Sequence, residues 1–470
     1  MTTETLFLLR YEWIISILIF LLLIIKLRDW DTNPKRFIMF MNAVLAINFL
    51  AGFLPLAEGT AFFNFYRTTD LIALEKNILN LGVLLISVGS SRWIEGTKYR
   101  GEFYILMLST LLGMQVMLSA GHMLVLYLGL ELSTIPLAAL ANYNKNSLRS
   151  SEAGVKLIMS SAFATGTTLF GISLLYGAVG NLEFGSIISH LQPNPLTIMA
   201  FIFIMAGFAF KISAVPFHLW TADVYEGAPV AITAYLSVIS KSSVMFVFVS
   251  ILFGLFGTLQ QSWVIAIATL SILSMVIGNL FAMRQQNIKR LLAFSAISQV
   301  GFMLVAITGF SAEAVESIIY FVIIYLLSNV AAFIVVGAVA HATGRETLTE
   351  YKGLYKSNPT QALVMGLSLL SLAGIPPTAG FFGKLFLLTS AVSAQMYVLL
   401  AIAALNLVLS LYNYLRVVKY MFIDSSEDEI PTIKSTYYEI AVYAVCVIGI
   451  LAIGFIPAVY SYIQHVVSGM

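Results

Sequence analysis

The chain has 470 residues, of which 59% are hydrophobic and only 10% are charged, and its mean hydropathy is +0.92. Soluble domains carry about 25% charged residues, so this composition excludes a water-soluble enzyme as well as a disordered chain. The single cysteine, Cys446, excludes a disulfide framework and a cysteine metal site. The net charge of +2 gives no reason to expect nucleic acid as a partner.

Long apolar runs predict an all-α polytopic membrane protein with about fourteen transmembrane helices. The predicted spans cover residues 5–26, 37–56, 77–94, 103–119, 122–142, 154–177, 197–220, 229–253, 262–283, 289–309, 315–339, 361–387, 392–415 and 437–462. The stretches between them are too short for a soluble domain. No basic leader or small-residue cleavage site precedes the first span, so we expect it to be retained rather than removed as a signal peptide.

The positive charges are distributed unevenly between the predicted loops. Of the 25 Lys and Arg residues, nineteen fall in odd-numbered loops, whereas Arg67 is alone in the even-numbered loops. Loops rich in Lys and Arg stay on the cytoplasmic side of a membrane. The pattern therefore predicts cytoplasmic odd-numbered loops and two termini on the opposite side, and it supports the count of fourteen because an added or missing helix would mix the two groups.

Four ionisable side chains fall inside the predicted spans, namely Glu131, Lys211, Lys241 and Lys384. Such groups cost ~2.5–3.5 kcal/mol each on insertion scales, and they usually mark ion or proton routes. Salt bridges that only hold helices together are an alternative, but one carboxylate cannot neutralise three lysines. We therefore predict that these four residues form a proton path.

Two further residues are weaker candidates for the same path. Lys156 follows Glu152 by four residues, so a surface ion pair explains it equally well. His218 has a side chain that titrates near neutrality, although a buried, hydrogen-bonded histidine is an equal alternative. Lys76, next to Glu75 at the edge of the third span, is expected to be an anchor at the membrane interface.

No metal or nucleotide site is expected in this chain. No group of His, Cys, Asp or Glu residues has the spacing of metal ligands, and no glycine-rich phosphate loop follows a strand.

Prolines interrupt two of the predicted spans. The seventh contains Pro216 and is followed by Pro229, and the twelfth contains Pro376 and Pro377. Proline removes a helical hydrogen bond, and backbone freed in this way at membrane depth must lie inside protein or line a cavity. Two broken helices in corresponding places suggest inverted repeats made of spans four to eight and nine to thirteen. This predicts an N-terminal segment 1–102, two halves at 103–253 and 254–415, and a C-terminal segment 416–470.

Residues 211–229 read KISAVPFHLWTADVYEGAP, and residues 286–301 read QNIKRLLAFSAISQVG. Both resemble signatures of the antiporter-like membrane subunits of respiratory complex I, which cation/proton antiporter complexes share. The runs SEAGVK (151–156) and SLAGIPPTAGFFGK (371–384) resemble one of the three complex I subunit types. A second type continues into a long lateral helix beyond the length of this chain, and a third has glutamate in place of Lys384.

This resemblance implies specific roles for the charged residues. Glu131 matches the family's glutamate of the fifth helix, and Lys156, Lys211, Lys241 and Lys384 match its lysines of helices six, seven, eight and twelve. The implied function is proton translocation within a bacterial NADH-quinone oxidoreductase of the inner membrane. The partners would be a neighbouring antiporter-like subunit, small membrane subunits and lipid. NADH, FMN, iron–sulfur clusters and quinone would belong to the rest of the complex, with no cofactor in this chain.

Two alternative functions remain open from the sequence. The first is a subunit of a multi-subunit cation/proton antiporter, which shares the Glu and Lys set. The second is a stand-alone solute transporter with a substrate pocket at the broken helices, but few polar groups beyond the lysines are present to bind a substrate there.

Overall fold

A computed structural model describes residues 7–28, 32–54, 58–344, 346–425 and 430–469. The helices in these ranges are α1 (Arg10–Leu27), α2 (Pro34–Ala51), α3 (Asp70–Gly89), α4 (Ser91–Gly96), α5 (Arg100–Leu118), α6 (Met123–Ala141), α7 (Leu148–Val179), α8 (Phe184–His190), α9 (Pro195–Ile212), α10 (Leu219–Gly227), α11 (Val230–Leu255), α12 (Gln260–Arg284), α13 (Ile288–Ile307), α14 (Ala312–Thr343), α15 (Leu354–Ser357), α16 (Pro359–Ala373), α17 (Ala379–Thr389), α18 (Tyr397–Phe422), α19 (Tyr437–Phe455) and α20 (Ala458–Ser468). Two short strands, β1 (Gly59–Ala61) and β2 (Tyr66–Thr68), pair antiparallel between α2 and α3, with Gly59 opposite Thr68.

Within the described residues, eleven helices are long and apolar enough to cross a membrane. The first two predicted spans correspond to α1 and α2, which have 18 residues each. The twelfth corresponds to the pair of shorter apolar helices α16 and α17. Every predicted span therefore coincides with a helix or a helix pair, and the prediction of an all-α polytopic membrane protein is confirmed.

Two departures from the predicted spans have a clear local cause. Helix α3 begins at Asp70 rather than at 77, because the side chain of Thr69 accepts a hydrogen bond from the backbone N–H of Ile72 and caps the helix. Lys76 consequently lies inside the span, where it is fully buried, and its predicted role as an interface anchor is wrong. The fourteenth span is divided into α19 and α20, since Pro457 cannot continue a helix from the preceding turn.

Both predicted helix breaks are confirmed, and they share one backbone pattern. Helix α9 ends at Ile212, Ser213 has φ of 64°, and the peptide bond before Pro216 is cis. Helix α16 ends at Ala373, Gly374 has φ of 83°, and the peptide bond before Pro377 is cis. In both places a residue in the left-handed region directly follows the last residue of the helix.

Glycines allow the helices of each half to approach closely. A Cβ atom on Gly113 of α5 would lie 2.3 Å from the backbone nitrogen of Ser133 on α6. A Cβ atom on Gly278 of α12 would lie 2.8 Å from the backbone nitrogen of Ser298 on α13. Small residues at such contacts let transmembrane backbones pack against each other, and the two contacts occupy the first helix pair of each predicted half.

Gly113→Ala should therefore destabilise the protein, because the added methyl meets backbone and a helix must shift. Overpacking of this kind typically costs ~1–3 kcal/mol. Gly166→Ala on α7 is the matched control, since nothing lies within 4 Å of its added Cβ. We expect a lower thermal midpoint of the detergent-solubilised protein for Gly113→Ala only. Equal midpoints for the two variants would contradict the packing argument.

Candidate proton path

Lys211 lies at the last turn of α9, directly before the first helix break. Its Nζ donates hydrogen bonds to Thr134 Oγ1 on α6, at 2.5 Å, and to Ser161 Oγ on α7, at 2.7 Å. Glu131 lies one turn before Thr134 and is close enough to interact electrostatically with Lys211. No ion pair within 4.0 Å joins them in the described part of the chain. Two hydroxyl groups thus hold the amine, and the carboxylate acts on it from a greater distance.

Lys241 lies near the middle of α11 and is 2% exposed. Its Nζ has no hydrogen-bond partner among the described residues and lies 5.4 Å from the ring centroid of Tyr225. A π-helical turn, Leu236–Ser240, directly precedes it, and such turns are frequent at functional sites. Because a buried charge is unfavourable without a partner, the amine must contact water or be neutral.

Lys384 lies on α17, directly after the second helix break, and is also 2% exposed. Its Nζ donates to the backbone carbonyl of Ala373 at 3.3 Å and lies 4.6 Å from the ring centroid of Phe302. Ala373 is the last residue of α16, so its carbonyl has no intrahelical donor. The break thus creates the acceptor that this lysine uses.

Hydroxyl groups connect the surroundings of the second and third lysines. Ser237, one turn before Lys241, lies 3.2 Å from the hydroxyl of Tyr325 on α14. One turn further along α14, Ser328 donates to Ser371 Oγ on α16 at 2.9 Å. Ser371 lies in the last turn of α16, next to the carbonyl that binds the third lysine. Hydroxyl contacts therefore join α11 to α14 near Lys241, and α14 to α16 near Lys384.

Lys156 takes part in an ion cluster that joins α7, α10 and α13. Its Nζ lies 2.6 Å from Glu152 and 2.6 Å from Asp223. Asp223 also pairs with Arg290 at 2.7 Å, and Arg290 pairs with Glu226 at 2.8 Å. The predicted surface pair is thus present, and Lys156, with 40% of its side chain exposed, is less buried than Lys241 and Lys384. A role in the path remains a prediction.

The sequence analysis missed Asp223, Glu226 and Arg290. The spacing of Asp223 and Glu226, three residues apart on α10, was the available signal, because such residues share one helix face.

His218 and Pro229 flank the half-helix α10. His218 is 6% exposed at the start of α10, and its Nδ1 has no partner in the ranges that the structure describes. Pro229 is the N-cap of α11. Both residues therefore lie at the ends of the interrupted span, where backbone and side-chain polar groups are buried together.

Comparisons with known proteins agree over nearly the whole chain. Residues 120–410 match the family described as NADH:quinone oxidoreductase/Mrp antiporter, TM. A protein named NADH-quinone oxidoreductase subunit N from Azobacteroides pseudotrichonymphae genomovar. CFP2 is 42% identical over 463 residues, 96% of each chain. Another of that name from Phocaeicola vulgatus is 43% identical over 422 residues, 89% of each chain.

Solved structures show the same fold. A chain of respiratory complex I from Thermus thermophilus with bound Aureothin is 28% identical, with a TM-score of 0.80, and the match covers 95% of this chain and 97% of that one. A chain of the Mrp complex from Dietzia sp. DQ12-45-1b has a TM-score of 0.88 over 100% of this chain and 97% of that one. At 20% identity the second likeness concerns the fold alone.

Proposed function

This chain belongs to the NADH:quinone oxidoreductase/Mrp antiporter family, in the branch of the N subunits, and from that premise we propose that it translocates protons as a membrane subunit of NADH-quinone oxidoreductase. The observation that carries the proposal is a set of three lysines inside the predicted spans, two of them at helix breaks. Lys241 and Lys384 are each 2% exposed, and two hydroxyl groups hold the amine of Lys211. Ionisable groups at such depth mark proton routes in transport proteins.

In the proposed cycle, Glu131 stabilises the charged form of Lys211 electrostatically. A charge shift that draws the carboxylate away leaves the ammonium held only by the hydroxyls of Thr134 and Ser161, which favours release of its proton. The proton then moves to Lys241 through water and neighbouring hydroxyls, since transfer requires contacts of ~2.6–3.2 Å at each step. The hydroxyls of α14 continue the route to Lys384 at the second break.

The driving force for this cycle comes from outside the chain. NADH, FMN, iron–sulfur clusters and quinone act in other subunits of such a complex. In the described ranges, no group of three or more His, Cys, Asp or Glu residues could hold a metal ion. This chain contributes proton carriers whose protonation responds to charge movements in its neighbours.

The protein is a multi-pass membrane protein, and we place it in a bacterial inner membrane with both termini on the non-cytoplasmic side. The positive-inside asymmetry supports this orientation. The left-handed residue that ends the helix at each break supports the division into halves at 103–253 and 254–415. Helices α12, α18 and α19 are buried over only about a third of their length, which leaves apolar faces for lipid and for neighbouring membrane subunits.

A stand-alone solute transporter is less consistent with the cavities of the structure. A cavity of about 1190 Å³ is lined largely by residues of the odd-numbered loops, among them Lys145, Arg149 and Glu346. A substrate site would be expected near the bilayer midplane between the broken helices.

Purification through a tag on this chain should test the assignment. We expect flavin-containing and iron–sulfur subunits to copurify, and we expect vesicles that contain the assembly to acidify when NADH reduces quinone. The alternative function predicts a different result. If the chain copurifies with other membrane subunits only, and the assembly exchanges sodium for protons without NADH, the chain is a subunit of a cation/proton antiporter.

A further inference from the structure

The first three spans contain a buried ionic group that the proposed path does not use. Lys76 on α3 lies 2.5 Å from Glu12 Oε1 on α1 and donates to the hydroxyl of Tyr66 on β2 at 3.0 Å. Tyr66 in turn donates to Glu12 Oε2 at 2.9 Å. The charges of Lys76 and Glu12 compensate each other, and the three residues tie α1 and the hairpin to α3.

Glu75, the residue directly before Lys76, lacks partners of this kind. It is 6% exposed, and it has no hydrogen bond and no ion pair within 4.0 Å in the part of the chain that the structure describes. Its charged neighbours, Arg67 and Lys76, act only from a longer range. The guanidinium of Arg67 donates instead to Ser250 Oγ at 3.0 Å. A buried carboxylate without a partner is unfavourable unless it binds a proton or contacts water.

A cavity of about 210 Å³ lies directly against this carboxylate. Its walls include Glu75, Arg67, Ser250, Met117 and Phe184. The cavity lies at the start of α3 and the ends of α5 and α11, which meet the even-numbered loops and hence the proposed non-cytoplasmic side. The positive charge of Arg67 at the wall disfavours a metal cation there, whereas a proton on Glu75 needs no additional ligands.

Contacts between helices lead from the surroundings of Glu75 to those of Lys241. Helix α3 touches α11 beside Lys241, because a Cβ on Gly82 would lie 2.1 Å from Ile239 Cδ1. Asn80 accepts a hydrogen bond from Gln115 at 3.1 Å, which connects α3 with α5. Asn80 lies five residues after Glu75, about 7.5 Å further along the helix axis in the direction of Gly82.

A second contact joins α5 to α11. The hydroxyls of Thr110 and Tyr235 lie 2.6 Å apart and are both buried. Helices α3, α5 and α11 are therefore in mutual contact between the neighbourhood of Lys241 and the cavity at Glu75.

We propose that Glu75 is a second proton-binding site, which exchanges protons with the non-cytoplasmic side through this cavity and communicates with Lys241 along the contacts of α3, α5 and α11. The proposal rests on the proposed function of the chain as a proton-translocating subunit. It assigns the N-terminal segment an exchange site of its own, separate from the break that carries Lys384.

Cysteine accessibility tests the cavity in the intact complex. The only native cysteine, Cys446, is buried and gives little background. We expect an impermeant anionic thiosulfonate to modify Glu75→Cys from the non-cytoplasmic side. Leu79→Cys, one turn further into the same helix, is the control, because Leu79 is 0% exposed and does not line the cavity. Equal modification of the two variants, or modification from the cytoplasmic side alone, would overturn the proposal.

Proton pumping tests the role of the carboxylate. Glu75→Gln should retain NADH oxidation but lose part of the protons translocated per electron, and Glu75→Asp should retain most of them. Glu316→Gln, which alters a similarly buried carboxylate that accepts from Tyr460 at 3.2 Å, should pump normally. Normal pumping by Glu75→Gln, or an equal loss in Glu316→Gln, would overturn the inference. Lys241→Met separates the two proposals when Glu75→Gln pumps normally. If Lys241→Met fails to pump, only the inference about Glu75 is wrong and the proposed function stands. If Lys241→Met also pumps normally, the proposed function is wrong too.

Discussion

Lys241→Met should abolish NADH-driven proton pumping while the complex remains assembled. Methionine has a similar length and no titratable group, and the native amine has no hydrogen bond to lose within the described structure. Lys241→Arg should fail as well, because a guanidinium keeps its proton in proteins. The two substitutions thus remove proton transfer for opposite reasons, one by deleting the carrier and the other by keeping it permanently charged.

Fluorescence quenching of a pH-sensitive dye in inside-out vesicles, together with the rate of NADH oxidation, measures this effect. Lys98→Met and Lys98→Arg are matched controls, since Lys98 is exposed in an odd-numbered loop. Normal pumping by Lys241→Arg would show that a fixed charge suffices at this position, and the proton-carrier role would have to be abandoned.

Glu131→Gln should strongly reduce pumping, with a milder loss for Glu131→Asp. A nearby opposite charge favours the charged form of a lysine, so the loss of the carboxylate removes an electrostatic stabilisation of charged Lys211. Aspartate keeps the charge on a shorter side chain. The fold should tolerate both changes, because Lys211 is held by Thr134 and Ser161 rather than by a direct ion pair.

The same vesicle measurement applies to this position, with quantification of the assembled complex to exclude lost subunits. Glu313→Gln, at an exposed carboxylate at the start of α14, is the control. Unchanged pumping by Glu131→Gln would show that the carboxylate does not regulate Lys211.

Sequence patterns predicted the features that arise within a single helix. Apolar runs gave the spans, and prolines marked both breaks, because each effect acts within a few residues of its cause. The surroundings of Lys76 could not be found in this way. Its partner Glu12 is 64 positions away in the sequence. The position of a polar residue along a helix also does not reveal whether its side chain faces another helix or the membrane interface.

The environment of the path residues was equally beyond the sequence. The sequence analysis places Lys211 and Glu131 in one predicted path, but it does not identify the hydrogen-bond acceptors of Lys211, which are hydroxyls on α6 and α7. Serine and threonine are common in transmembrane helices, so nothing in the sequence distinguishes Thr134 and Ser161 from others that only bond to their own helix. Three-dimensional packing selects them, because three separate helices must meet at one point.

The unequal burial of the helices has a consequence for the response of the protein to its membrane. In the apolar stretches of α13 and α14, 94% of the residues are buried, and in that of α11 78% are. The corresponding shares are 33% for α18 and 28% for α19. A bilayer of altered thickness acts on the helices that touch acyl chains, by tilting them or by local thinning of the lipid. Hydrophobic mismatch should therefore be absorbed by the outer helices, and Lys241 on α11 should keep its depth across membranes of different lipid composition.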